Sequence, residues 1–305
     1  YEATAAGVEA LEMGGNAFDA AVAAAFALGV CEPAASGLGG QTMALFFDAA
    51  TNRTLALDGS SRAPNRTDLE SIPSEHRLRG YRAATVPSTP ATLDYLRRRY
   101  GRLELALLLA PAIRLADEGY QVSALQRALT KRELKHLRAG TAAPLFLRNG
   151  RKPYAEGAVF RQPVLADTLH RLARKGVRDF YRGEVAERIH EDMVRNDGLI
   201  RREDLAQIPR PIERRPLSGR YAGHRVRTFP PPGAGRTLIE IMNVHEALPE
   251  KYRDPDTPRG AVALAEIIRR AFLDRRDRPF DPAYYEQVSE KRMLKLDYAA
   301  FVARQ

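Results

Sequence analysis

A single cysteine, Cys31, stands in 305 residues, so the chain can form no internal disulfide and carries no mark of an oxidising compartment. Inside its apolar segment Cys31 reads as a small core residue rather than a nucleophile. Long apolar runs are also missing. The longest, Ala20 to Val30, is about half of what a bilayer-spanning helix needs, so no membrane span is expected. Lysine is scarce, supplying 7 of the 48 basic residues, a skew that genomic base composition produces. The net charge of +10 invites a nucleic-acid reading. However, bases alternate with acids in Lys131-Arg132-Glu133 and Arg201-Arg202-Glu203-Asp204, as on solvated helical faces. Without helix-turn-helix spacing, zinc-finger spacing or an aromatic platform, no nucleic-acid partner is expected. A positive surface can equally be offset by an acidic partner subunit.

Self-sufficient catalytic patterns are missing as well. None of the histidines His76, His136, His170, His190, His224 and His245 falls in a ligand pair, so neither a metal nor another cofactor is expected. His245-Glu246 starts like a metalloprotease motif, but Pro249 occupies the place of the second histidine. His190-Glu191-Asp192 reads as a solvated stretch of a charged helix. Ser36 is flanked by Ala34 and Leu38, not by the glycines of a nucleophile elbow. Gly37-Leu38-Gly39-Gly40 precedes a strand, the reverse of a dinucleotide fingerprint. Gly233-Ala234-Gly235-Arg236-Thr237 lacks the lysine of a phosphate loop. Both glycine clusters read as tight turns and close backbone approaches.

What the sequence does contain is a soluble, mainly helical globular pattern, 44% hydrophobic and 28% charged. A helix over Ala3 to Met13 ends at Gly14-Gly15, and Asn16 is placed to cap an alanine-dominated central helix from Phe18 to Gly29, with Asp19 in its first turn. Strands are expected at 42–47, fit for burial, and at 53–57, with another near 221–229. Helices are expected near 91–100, 104–118, 123–138, 162–175, 184–196, 236–247, 259–274 and 293–303, with Pro111 kinking or splitting the second. Helices outnumber strands too heavily to fill a layered fold, as if a second chain supplies strands. By length alone the 305 residues could form one large domain or two smaller ones.

Gly14-Gly15-Asn16-Ala17-Phe18-Asp19-Ala20-Ala21 and Pro33-Ala34-Ala35-Ser36-Gly37-Leu38-Gly39-Gly40 together resemble the N-terminal signature of the γ-glutamyltransferase family. The likeness continues in order. Val86-Pro87-Ser88-Thr89-Pro90 resembles the family's Val-Pro-Gly segment, with Ser88 in place of glycine. Pro111 to Tyr120, Phe180-Tyr181-Arg182-Gly183, Gly198-Leu199-Ile200 with Glu203-Asp204-Leu205, and Pro230-Pro231-Pro232 are similar to further blocks. Phe272-Leu273-Asp274-Arg275 before Asp281-Pro282 is the last of them.

This resemblance implies an α+β fold, the αββα sandwich of the N-terminal-nucleophile hydrolases, with residues 1–305 as a single domain, the large subunit, and a small subunit from the same precursor completing the sheets. It implies catalysis by the small subunit's N-terminal threonine after self-cleavage, so no catalytic residue is expected in this chain. The implied substrate is a small-molecule amide or a γ-glutamyl compound, and a dimer of such heterodimers stays open. The chain starts at Tyr1, and the cytoplasm is favoured unless a leader was removed, which would fit a periplasmic or secreted enzyme.

One departure bears on substrate. The family's γ-glutamyl enzymes carry an arginine that grips the substrate α-carboxylate in an Asp-x-Arg-Glu-x-Ala-Pro segment. Here it reads Asp58-Gly59-Ser60-Ser61-Arg62-Ala63-Pro64, with Ser60 at the arginine's place. Ser60, Ser61 and Arg62 are therefore the candidate substrate-binding residues. Arg62 would share a face with Ser60 in an extended backbone and could take over the carboxylate; a structural or surface arginine is the competing reading. The variant is similar to members acting as amidohydrolases or acylases on other small amides. A non-catalytic scaffold that has lost cleavage, and a genuine γ-glutamyl enzyme using Arg62, are the alternatives.

Overall fold

The computed structural model describes residues 1–68, 70, 72–276 and 293–304. Along the chain, α1 (Glu2–Glu12) and α2 (Ala17–Cys31) lead into β1 (Thr42–Asp48) and β2 (Arg53–Gly59). Next come α3 (Thr89–Tyr100), α4 (Leu105–Asp117), β3 (Tyr120–Gln121), α5 (Ala124–Arg132), α6 (Leu134–Ala139), α7 (Ala143–Phe146) and β4 (Val159–Phe160). They are followed by α8 (Pro163–Lys175), α9 (Arg178–Arg182), α10 (Glu184–Arg195) and α11 (Arg202–Ala206). The last third holds β5 (Ile212–Arg214), β6 (Leu217–Tyr221), β7 (His224–Thr228), α12 (Gly235–Ala247), α13 (Pro258–Arg276) and α14 (Leu296–Val302). Among the described residues three small sheets, β1-β2-β5, β3-β4 and β6-β7, stand beside the helices and make the architecture α+β. The Asp281-Pro282 pair lies outside the described residues.

One compact unit comprises Tyr1–Met43 and Gly59–Pro211. Its centre is α2, which packs against α1, α3 and α4. Alanine permits this: α1 approaches so closely that a Cβ on Gly7 would lie 3.2 Å from the Ala20 carbonyl oxygen. Val22, Ala23, Phe26, Ala27 and Val30 are buried along α2. Its ends are closed by side chains. Asn16 accepts from the Phe18 and Asp19 amides at the start, and Gln162 Nε2 donates to the Val30 carbonyl at 2.8 Å near the finish.

The second unit comprises Ala44–Asp58 and Ile212–Gln305. The β6–β7 ribbon turns at Ala222 and Gly223, both at positive φ, and lies on α12. A Cβ on Gly219 would sit 3.1 Å from Ile239, so this contact requires glycine or a small shift. Val244, Leu248, Ile267 and Ala299 form the apolar cluster that joins α12, α13 and α14.

Three expectations need correction. Of the two outcomes expected at Pro111, a split does not occur, since α4 runs through it; its ring is buried, and the Leu107 carbonyl that loses a donor lies on a residue 44% exposed, within reach of water. The segment 123–138 is two helices, α5 and α6, broken at Glu133. Finally, β1 is not buried on both faces. It is an edge strand whose residues alternate, leaving Met43, Leu45 and Phe47 exposed at 37%, 43% and 58%.

Candidate functional site

The segment Asp58–Pro64 leaves β2 under tight restraint. At its start Asp58 is buried, and Arg214 on β5 donates from Nε to its Oδ2 at 2.8 Å. Gly59 has no room for a side chain: a Cβ would come within 2.1 Å of Thr92 Oγ1 and 2.3 Å of the Thr42 carbonyl oxygen. The hydroxyl of Ser88 donates to the Gly59 carbonyl. Beyond the strand, Ser61 turns to Gln41, whose Oε1 accepts from the Ser61 amide at 3.0 Å and its hydroxyl at 3.3 Å. Arg62 is held by its main chain in an antiparallel bridge to Val86, whose amide donates to the Arg62 carbonyl at 2.8 Å. Its guanidinium is exposed, and no carboxylate among the described residues pairs with it. Ser60 is half-buried between these restraints.

The restraints share a hub at Val86–Ala91. The Gly40 carbonyl accepts the amides of Ser88 and Thr89 at 3.0 and 3.2 Å, which ties the Gly37–Gly40 turn to the start of α3. The hydroxyls of Thr42 and Thr89 meet at 3.1 Å. Tyr181, from the Phe180–Gly183 block, is fully buried; its hydroxyl donates to the Pro87 carbonyl and accepts the Ala91 amide, both at 3.1 Å. Burial pushes that phenol's pKa up, so it stays a neutral donor. Asp204, from the Glu203–Leu205 block, accepts the Asn65 amide at 2.8 Å just past the segment. Sequence blocks more than a hundred residues apart thus meet around one short stretch of chain. Sequence reasoning singled out Ser60, Ser61 and Arg62 but missed Gln41, Thr92 and Tyr181 as their supports. A signal existed for Ser88, which departs from the family's glycine and whose hydroxyl makes the bond to Gly59.

Other candidates resolve as structural. Cys31 packs at the margin of the Ala3–Ala6–Ala27 cluster, and burial pushes its thiol pKa up, away from nucleophilic use. His245 Nε2 donates to the Arg253 carbonyl at 2.9 Å, since a carbonyl only accepts, and Nδ1 meets the Tyr221 hydroxyl at 3.0 Å. The stretch 190–192 is not simply solvated, because His190 is half-buried and Asp192 accepts from the Tyr81 hydroxyl at 2.9 Å. Close approach explains Gly235, where a Cβ would lie 2.0 Å from the Phe229 carbonyl oxygen. It does not explain Gly37 or Gly39, which face open space. Among the described residues no helix is long and apolar enough to cross a membrane.

Solved structures with this fold include N-terminal-nucleophile hydrolases of the transpeptidase and acylase type. The γ-glutamyltranspeptidase of Helicobacter pylori superposes with a TM-score of 0.91 at 33% identity, covering 99% of this chain and 88% of that one. A cephalosporin acylase from Bacillus halodurans gives 0.88 at 33% identity, over 99% of this chain and 57% of that one. The chain belongs to the γ-glutamyltranspeptidase family, whose model matches residues 3–305. Among curated relatives, a glutathione hydrolase proenzyme of Pseudomonas sp. (strain A14) is 33% identical over 309 residues, 98% of this chain and 53% of that protein. The chain spans about half the length of the curated relatives it matches.

Proposed function

We propose that this chain is the large-subunit part of a threonine-nucleophile enzyme that cleaves or transfers the acyl group of small amides, with γ-glutamyl selectivity weakened or lost. The observation that carries the reading is the Asp58–Pro64 segment. Ser60 stands where the γ-glutamyl enzymes have their carboxylate-gripping arginine, and the restraints at Gly59, Ser61 and Arg62 leave that segment little freedom to rebuild the grip. A hydroxyl offers a single donor to a ligand carboxylate where a guanidinium offers a two-pronged, charged one. The likeness to a cephalosporin acylase agrees with an amide substrate other than a γ-glutamyl compound.

In this reading all 305 residues belong to one αββα domain that the small subunit completes. Two observations support that. The chain matches most of one solved transpeptidase chain but about half of the longer proenzymes. In addition, β1 offers an edge with Met43, Leu45 and Phe47 exposed, a face suited to cover by further strands. The small subunit's N-terminal threonine would attack the amide carbonyl through Oγ, its own α-amino group taking the proton and passing it to the departing amine. Water or an acceptor amine would then take the acyl group from the ester. The large subunit's task is to hold the acyl end of the substrate along Ser60–Arg62.

The test is to express the precursor, measure intact masses, and compare hydrolysis of γ-glutamyl-p-nitroanilide with that of simple acyl p-nitroanilides. A second chain beginning with threonine and faster turnover of the simple amides are expected. An uncleaved precursor without activity would establish the scaffold alternative. Efficient γ-glutamyl turnover abolished by Arg62→Ala would overturn the altered selectivity and assign the carboxylate to Arg62.

A further inference from the structure

The β6–β7 ribbon has two unlike faces. Its register sets Leu217 opposite Thr228, Gly219 opposite Val226 and Tyr221 opposite His224 on the side of α12, where Gly219 meets Ile239 and Tyr221 bonds His245. The alternate pairs, Ser218 with Arg227 and Arg220 with Arg225, point outward, and all four residues are exposed. Two arginines directly across a ladder repel each other, an arrangement that disfavours the ribbon unless an anion lies over it. No carboxylate among the described residues pairs with Arg220, Arg225 or Arg227. Elsewhere in the chain arginines are commonly partnered, as in the Arg171–Asp179, Arg97–Asp94 and Arg114–Glu9 pairs. Among the described residues, the ribbon thus carries three guanidinium groups on one ladder with no carboxylate partner.

We propose that this face is a docking surface for an extended acidic polypeptide segment, which adds to β7 as a third strand with Glu or Asp at alternate positions. Three features select that partner. In the sheet of β6 and β7, each strand has one neighbour among the described residues, so β7 offers a row of main-chain donors and acceptors that only an extended polypeptide matches. Side chains two residues apart on a strand repeat at about 7 Å on one face, so acids at alternate positions of an added strand meet Arg225 and Arg227 in step. Finally, the outward face carries no aromatic ring on which a base could stack and no large apolar side chain to enter a bilayer; its tip is Ala222-Gly223. Arginine then gives two-pronged bonds to each carboxylate, which a lysine edge serving only to repel other strands would not. The net charge of +10 adds a field that draws an acidic segment in.

The experiment is fluorescence anisotropy of the whole protein with a labelled peptide of four Glu-Val repeats, against a Gln-Val peptide, vesicles of mixed phosphatidylserine and phosphatidylcholine, and an oligo-dT strand. The Glu-Val peptide should bind at least about tenfold tighter than the Gln-Val peptide and weaken in high salt. It should also lose affinity when alternate amides are N-methylated to remove ladder donors. The double variant R225E/R227E, checked for an unchanged thermal midpoint, should lose the Glu-Val peptide and gain a Lys-Val one. Equal binding of Gln-Val, indifference to N-methylation, or a preference for vesicles or oligo-dT would overturn the proposal. So would absence of peptide binding in the folded wild type.

Discussion

The Arg102 amide lies between both carboxylate oxygens of Asp19, at 3.0 and 2.9 Å, although 83 residues separate them. The same carboxylate accepts the Leu103 amide at 3.1 Å and the Asn16 amide at 2.9 Å, while Asn16 Nδ2 donates to the Tyr100 carbonyl at 2.7 Å. Asp19 is fully buried, so one side chain caps α2 and also fixes the turn between α3 and α4. Asp19→Ala would leave the amides of Asn16, Arg102 and Leu103, all in part-buried hydrogen bonds, without this acceptor. Loss of about 3 kcal/mol or more is expected, read as a lower urea midpoint, with Asp19→Asn losing less.

Asn16 and Asp19 show how far sequence reading reaches. Their capping role was legible because it is local: the cap, the acid three residues on and the preceding glycines all lie within one turn. The link to Arg102 was not, because its far partners are main-chain amides that leave no residue signature. Likewise the apolar run of β1 names a strand but carries no alternation that tells a covered face from an exposed one. The break between α5 and α6 at Glu133 has neither glycine nor proline to announce it. Around the candidate site, Ser60 and Arg62 could be read from a motif, whereas Gln41 and Tyr181 act through contacts that only the folded chain creates.

Gly59 admits no side chain. Gly59→Ala would drive a methyl into the Thr92 hydroxyl and the Thr42 carbonyl, and backbone cannot retreat as a flexible side chain can. A cost of about 3 kcal/mol is expected, with a fall in thermal midpoint and disturbed substrate binding. Pairing Gly59→Ala with Thr92→Ala should recover only part of the loss, since the Thr42 carbonyl remains.

The hub at Val86–Ala91 is open to a conservative test. Tyr181→Phe keeps the ring and removes only the hydroxyl that serves the Pro87 carbonyl and the Ala91 amide. Stripping both groups of their partner at a buried site should cost about 1–3 kcal/mol. Calorimetry of the two proteins measures this, and an unchanged melting curve would contradict the role given to Tyr181.

Arg171 grips Asp179 with two bonds, 2.6 Å from Nε and 3.0 Å from Nη2. The Arg171 hydrogen bonds, which outweigh burial, hold the Asp179 carboxyl below the usual carboxylate range. The stability from this depressed pKa is present above the unfolded value of about 4 and disappears as pH falls through the lower folded value. Asp179→Asn should therefore lower the urea midpoint at pH 7, and the gap to wild type should narrow on acidification below about pH 4.

Ser60→Arg restores the family's side chain at its own position. If the segment follows the course of the γ-glutamyl enzymes, kcat/KM for γ-glutamyl-p-nitroanilide should rise about tenfold or more, the worth of a charge-assisted pair, with little change for simple amides. An equal effect on both substrates would show that position 60 does not face the acyl end.

The Gly40 carbonyl, bonded to the amides of Ser88 and Thr89, joins two stretches of chain through main-chain atoms alone. Because loop closure grows only slowly more costly with length, the connections that leave this junction can gain or lose residues while its geometry stays fixed. The family blocks should accordingly keep their internal spelling and drift in spacing, and engineered insertions belong in the spacers, well clear of the blocks themselves.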